Sequence, residues 1–194
     1  GHYNKRCKQE IRKDSPYYEY AVTGFGLKLR AHPFAVAMAD EQFSHLDEWH
    51  QAKHRNALYL TKKLAQFPEL ELPKIKNRGD EPSWYAYTFL IKPKTLSIST
   101  EEFCNNLIVA GVADADMPGS TCPLNLLKLF QDPSLLFPAY ASKVAYKQGD
   151  FPVAESFFNR AIKLPIDIDE SDEYIKVLDF YAETIGRLLT KFKI

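Results

Sequence analysis

The sequence predicts an α/β chain, more narrowly a small α+β layer in which helices cover one face of a short sheet. Three observations predict it. Apolar residues recur at helical 3–4 spacing in several separate segments. Short strand-like runs stand between those segments, so helix and strand signals alternate. Hydrophobic residues make up 45% of the 194 positions and aromatic residues 13%, enough to build a core and too many for a disordered chain.

Residues 1–25 are polar and aromatic and predict an irregular segment ending at Gly24-Phe25-Gly26. The small-residue stretch Pro33–Ala39 then runs into a long helical pattern carried by Phe43, Leu46, His50, Ala57, Leu60, Leu64 and Phe67. Pro68 ends it, and a polar loop through Asn77–Asp80 follows. From Trp84 to Lys92 the pattern alternates. It predicts a strand with Tyr85, Tyr87, Phe89 and Ile91 on one face. Ser99 and Glu102 have capping-box spacing, and Gly111 supplies the stop, so a helix lies between them. Val112–Ala115 reads as a short strand, and a turn or two of helix is expected near Leu124–Phe130. Asp150 is placed to cap a helix over Phe151–Arg160, with Pro152 in the first turn. Ala161–Pro165 reads as a strand ended by proline. Ser171–Lys191 reads as a closing amphipathic helix, acidic at its start and basic at its end.

Lys+Arg and Asp+Glu both number 25, so no basic excess suggests a nucleic-acid partner. No apolar run reaches the roughly 18–20 residues that span a bilayer. Cys7, Cys104 and Cys122 form neither a metal pair nor a disulfide framework, which favours a reducing compartment, by default the cytoplasm. The opening Gly1–Arg6 has no initiator Met and reads like the interior of a longer protein.

Candidate chemistry is sparse. His50 and His54 share a helix face with Glu48 near, as a metal site requires, but Gln51 stands where a metalloprotease motif needs Glu, and a surface helix is the simpler account. Asp114 and Asp116 could be paired carboxylates or turn residues. Cys122 has no evident base. Lys28 and Arg30 follow Gly24 and Gly26 without phosphate-loop spacing, and two cations on one side of an extended segment suit either an anion or a solvated turn.

The order of segments carries more. Gly26-Leu27-Lys28-Leu29-Arg30-Ala31-His32-Pro33 comes first, then Gln42–Asp47 and Arg55. Ser83–Tyr87, Gly111-Val112, Met117–Leu124, Phe151-Pro152-Val153-Ala154-Glu155 and Leu164-Pro165-Ile166 follow in turn. This ordered set resembles the C-terminal half of the DegT/StrS-type sugar aminotransferases. The resemblance covers nearly the whole chain. It implies the pyridoxal-phosphate-dependent fold of aspartate-aminotransferase type. Residues 1–40 would end the large domain, and residues 41–194 would form the linking helix and small domain. It also implies a homodimer that moves an amino group from a glutamate-type donor to a keto sugar, often nucleotide-linked, with pyridoxal 5'-phosphate as cofactor. By the same resemblance, Lys28, standing for the usual Asn, reaches the cofactor phosphate of the neighbouring subunit. Ser120 and Asn125 lie on a substrate-side loop, where Asn125 replaces a common His.

No segment matches the family's Schiff-base lysine or its pyridine-pairing Asp. Lys163 lacks the right neighbours. The chain alone is therefore expected to be inactive, with no catalytic residue of its own. Two other readings stay open: a non-catalytic binding module that keeps the small-domain fold, and a related sugar dehydratase, in which His replaces that lysine.

Overall fold

A computed structural model of the chain describes residues 12–15, 31–77 and 79–194, with the side chain of Ser120 left out. It divides into two compact units, Gly1–Leu46 and Asp47–Ile194.

In the first unit, α1 (Pro33–Ser44) begins with proline where no amide donor is needed. The His32 ring Nδ1 accepts from the Phe34 N–H. The single long helix expected from Phe43 onward is instead two. His45 ends α1 with its N–H turned back to the Gln42 carbonyl, and α2 spans Leu46–Leu64. Phe43 and Leu46, assigned to the apolar stripe, are exposed. That stripe was a splice of two helices, and only its second part buries residues: Ala57, Leu60 and Leu64.

The second unit is built on three antiparallel strands in the order β1–β2–β3, comprising β1 (Leu70–Glu71), β2 (Tyr87–Ile91) and β3 (Ala161–Leu164). Register pairs Leu70 with Ile91, Tyr87 with Leu164 and Phe89 with Ile162. These side chains share one face and join the core with α2, α3 (Thr100–Val109) and α6 (Asp172–Phe192). The alternation of β2 is as expected except at Tyr85, which lies before the strand and is 90% exposed. On the opposite face Leu90 pairs with Ala161, and both are buried; α5 (Pro152–Arg160) packs on β2.

α3 is fixed at both ends by its sequence. Ser99 Oγ accepts from the Glu102 N–H while the Glu102 carboxylate accepts from the Ser99 N–H. At the other end Gly111 adopts φ +104°. Its N–H reaches Ile108 O while the Val112 N–H reaches Leu107 O, a Schellman closure that only a residue tolerant of positive φ completes without strain.

Two expectations fail nearby. Val112–Ala115 is a turn closed by Ala115 N–H to Val112 O, and only Asp116 pairs, as a single bridge to Lys163. Asp150 does not cap α5, whose N-cap is Phe151; its carboxylate accepts from the Lys147 N–H at 2.7 Å, a nearer donor in its own turn. Ser171 does cap α6, accepting from the Tyr174 N–H.

Candidate functional site

The loop-rich segment between Met117 and α5 contains three single 3₁₀ turns, at Gly119–Thr121, Leu124–Leu126 and Pro138–Tyr140, and a one-turn helix, α4 (Lys128–Gln131). Five prolines from Pro118 to Pro152 deny it longer elements. Such a segment holds its shape only if its backbone polar groups find partners elsewhere. Glu155, on the first turn of α5 and 7% exposed, supplies them. Its carboxylate accepts from Gly149 N–H at 2.9 Å, Phe151 N–H at 3.2 Å and Asn125 Nδ2 at 2.6 Å. Asn125 Nδ2 also donates to the Lys147 carbonyl at 3.0 Å, and the backbone carbonyl of Asn125 accepts from Gln131 Nε2. One carboxylate and one amide thus tie three stretches of loop to a helix.

Burial alone would push the Glu155 carboxyl up, but the hydrogen bonds from Asn125, Gly149 and Phe151 outweigh it and hold the group below the usual glutamate range. A depressed folded-state value means that the stabilisation is complete above the ordinary glutamate range and is lost as pH falls through the lowered value. We therefore expect the stability gap between wild type and Glu155→Gln to be largest near neutrality and to shrink on acidification. Denaturant midpoints measured across that range check it; a gap that widens as pH falls would contradict the geometry.

Beside this staple a cleft of about 770 Å³ opens between the 118–123 loop and the start of α5. Pro118, Pro123, Phe151, Val153 and Phe157 give it largely apolar walls, with Thr121 and Asp150 among the polar exceptions. It can hold an apolar or aromatic body, which is the usual character of a small-molecule site.

Two of the anticipated site residues, Ser120 and Asn125, lie in neighbouring 3₁₀ turns of this segment. Lys28 lies outside the described residues, with Arg30 and the glycines before it. Ser120 sits in the 3₁₀ turn beside the cleft. Asn125 is 3% exposed, with its amide engaged as above, so its visible work is to fix the loop.

The remaining candidates find bland partners. Among the described residues no group of three His, Cys, Asp or Glu side chains gathers as a metal would need. His50 and His54 turn to different neighbours: Pro82 O at 3.1 Å for His50, and the Trp84 indole at 3.1 Å for His54. Cys122 directs its thiol to the Pro123 carbonyl at 3.7 Å. Asp116 faces Lys163, not Asp114, with Oδ2 2.9 Å from Nζ.

That last pair bears on cofactor capture. The Asp116 hydrogen bond raises the Lys163 ammonium above its ordinary range. An amine held as a cation is a poor nucleophile. Lys163 thus does not fit the role of a covalent anchor for an aldehyde cofactor.

Residues 4–179 match the family model for the DegT/DnrJ/EryC1/StrS aminotransferases.

The chain belongs to the DegT/DnrJ/EryC1/StrS aminotransferase family.

Among relatives of this family member, the spore coat polysaccharide biosynthesis protein SpsC of Bacillus subtilis (strain 168) is 22% identical over 157 residues, 81% of this chain and 36% of the relative. Among solved structures, the aminotransferase TlmJ from Streptoalloteichus hindustanus superposes with a TM-score of 0.66 at 19% identity, covering 88% of this chain and 40% of that one. The E. coli GDP-4-keto-6-deoxy-D-mannose-3-dehydratase with bound hydrated pyridoxal phosphate gives 0.63 at 17% identity, covering 90% and 40%. The family's cofactor is pyridoxal phosphate, and the fold inferred from the ordered motifs is the fold of these structures. The chain spans about two fifths of the length of the relatives it matches. Among the described residues, no helix is long and apolar enough to cross a membrane.

Proposed function

We propose that these residues form the C-terminal, substrate-side portion of a pyridoxal-phosphate-dependent aminotransferase. The enzyme moves an amino group from a glutamate-type donor to a keto sugar, free or nucleotide-linked. The match of residues 4–179 to the aminotransferase family carries this reading. In it, residues 1–40 close the large domain and 41–194 form the linking helix and small domain of a cytoplasmic homodimer. Lys28 supplies a cation to the cofactor phosphate of the neighbouring subunit, which suits the chemistry of a lysine ammonium. The loop bearing Ser120, braced by Asn125 and Glu155, lines the substrate side. When bound, the cofactor acts as the electron sink of the reaction, and these residues contribute shape and position. The covalent lysine belongs to the part of the relatives' length that this chain does not span.

The test is direct. The 194-residue chain is mixed with pyridoxal phosphate, treated with borohydride and weighed intact. No stoichiometric cofactor adduct is expected. An adduct that disappears in Lys163→Ala would overturn the assignment of Lys163 as a structural cation. A full-length parent that failed to bind the cofactor at all would sink the enzyme reading.

A second reading, a pyridoxal-phosphate-dependent sugar dehydratase, is favoured by the similarity to GDP-4-keto-6-deoxymannose-3-dehydratase structures at TM-scores of 0.63. Product analysis of the full-length parent separates the two. An aminotransferase leaves nitrogen on the sugar, whereas a dehydratase removes a hydroxyl.

A further inference from the structure

The cleft beside the Glu155 staple has a charge pattern that narrows what it can take. Ten described residues line it, and Asp150 is the one charged side chain among them. Thr121 is the one other polar side chain of the ten, and its hydroxyl already donates to the Pro118 carbonyl at 2.9 Å. Phe151 and Phe157, each 49% exposed, and the partly buried Phe158 give the walls three aromatic rings. Tyr146 braces Phe151 at a centroid distance of 5.9 Å, with the planes at 51°. We propose that this cleft binds an organic monocation, an aryl or alkyl ammonium whose apolar body lies on the phenylalanines while its charge meets Asp150. Such binding needs no cofactor and does not rest on the aminotransferase reading.

Other ligand classes fit less well. A sugar would carry several hydroxyls against walls that offer them almost no partner, and each unpartnered hydroxyl weakens binding. An anion would find no cation among the lining residues. The first turn of α5 does border the cleft with its positive pole, but that pole is worth only about half an elementary charge. Two carboxylates held in one turn oppose it. Asp150 Oδ2 accepts from the Lys147 N–H at 2.7 Å, and Glu155 accepts from the Gly149 N–H at 2.9 Å.

The two carboxylates differ in what they have left to offer. Glu155 is buried and already serves Asn125, Gly149 and Phe151. Asp150 is exposed, its Oδ1 accepts no hydrogen bond from the described residues, and no described cation forms an ion pair with it. Lys147 is the nearest cation in sequence, yet it reaches Asp150 through its backbone N–H. A neutral apolar body would suit the walls and leave Asp150 unanswered. An ammonium answers both, because a cation is drawn to a carboxylate and to the face of an aromatic ring. A volume of about 770 Å³ leaves room for one ring-bearing body.

Nuclear magnetic resonance of the intact 194-residue chain at neutral pH, without cofactor, tests this with three probes of similar shape: phenethylammonium, phenethyl alcohol and hydrocinnamate. Amide shifts report both affinity and place. Saturable shifts confined to residues 118–123 and 150–158 are expected for the ammonium, at an affinity roughly tenfold above the alcohol and the carboxylate, the margin that one close charge pair supplies near a protein surface. Glucose at the same concentrations should shift none of these amides. Asp150→Asn keeps an oxygen for the Lys147 N–H and should bring the ammonium down to the level of the alcohol. Val153→Lys, at a position 84% exposed, places a cation on the wall and should turn the preference toward the carboxylate. Urea midpoints equal to wild type show that both variants remain folded. No saturable shift at the cleft with the ammonium, equal affinity for all three probes, tighter binding of glucose, or a preference for the ammonium that survives in Asp150→Asn would each overturn the assignment.

Discussion

Phe89→Ala is expected to destabilise the Asp47–Ile194 unit by about 3–5 kcal/mol, the range for truncating a fully buried aromatic. Phe89 has no exposed surface and sits on the central strand, opposite Ile162. Its ring fills the space between the sheet and the helices of the core. Backbone ladders on both sides of β2 hold the cavity walls apart, so little of the void can collapse. Single domains are stable by only about 5–15 kcal/mol, so this one change removes about a fifth or more of the total. Urea unfolding of both proteins measures it, with an unchanged slope showing that the native state is otherwise intact. Tyr85→Ala is the control. The alternating pattern assigns Tyr85 and Phe89 to one face, yet Tyr85 is 90% exposed, and its loss should change stability by no more than about 0.5 kcal/mol. Equal effects from the two substitutions would show that the strand begins earlier, as the sequence pattern alone suggests.

The difference between those tyrosine and phenylalanine positions shows what a sequence reading reaches. Elements whose signals are local were legible. Ser99 and Glu102 need only each other, Gly111 needs only its own φ, and Ser171 needs only the Tyr174 amide three residues on. Elements defined by a distant partner were not. β1 has two residues, too few for any period, and exists because Leu70 and Glu71 meet Ile91 and Leu90. Asp116 becomes strand-like only through Lys163. The long helix failed for the reverse reason: helical spacing continues across His45 by accident, and periodicity cannot see a cap made by backbone alone.

At the candidate site the division is similar. The family, its cofactor and its fold were legible from motif order. The work of individual residues was not. Glu155 entered only as one letter of a motif, although it is the buried acceptor that organises Asn125, Gly149 and Phe151. A glutamate in the first turn of a helix invites the reading of a favourable charge near the amino end. Its donors lie 30, 6 and 4 residues upstream, and no local rule spans the first of these distances. Lys163 shows the complement. Sequence could reject it as an anchor for want of neighbours, and the structure supplies the physical reason in the Asp116 carboxylate at 2.9 Å.

Gly186→Ala inverts an ordinary rule. In the interior of an exposed helix the change should stabilise by about 1 kcal/mol, because glycine holds helical geometry at a high entropic cost. Gly186 is buried in the middle of α6, and a Cβ there would stand 2.4 Å from Phe67 Cζ and 2.8 Å from Cε1. Real carbon contacts never come so close, so the ring must leave its place. Phe67 follows the end of α2 and packs partly buried against the core, and moving it exposes apolar surface that the helix gain does not recover. The net effect is a loss of about 1–3 kcal/mol. The sign depends on Phe67 alone, and a double-mutant cycle reads it. In a Phe67→Leu background, where the colliding ring atoms are gone, Gly186→Ala should recover its ordinary stabilising value. If alanine stabilises the wild-type background as well, the close approach of α6 to Phe67 is not a constraint of the native state, and glycine at 186 has no packing reason.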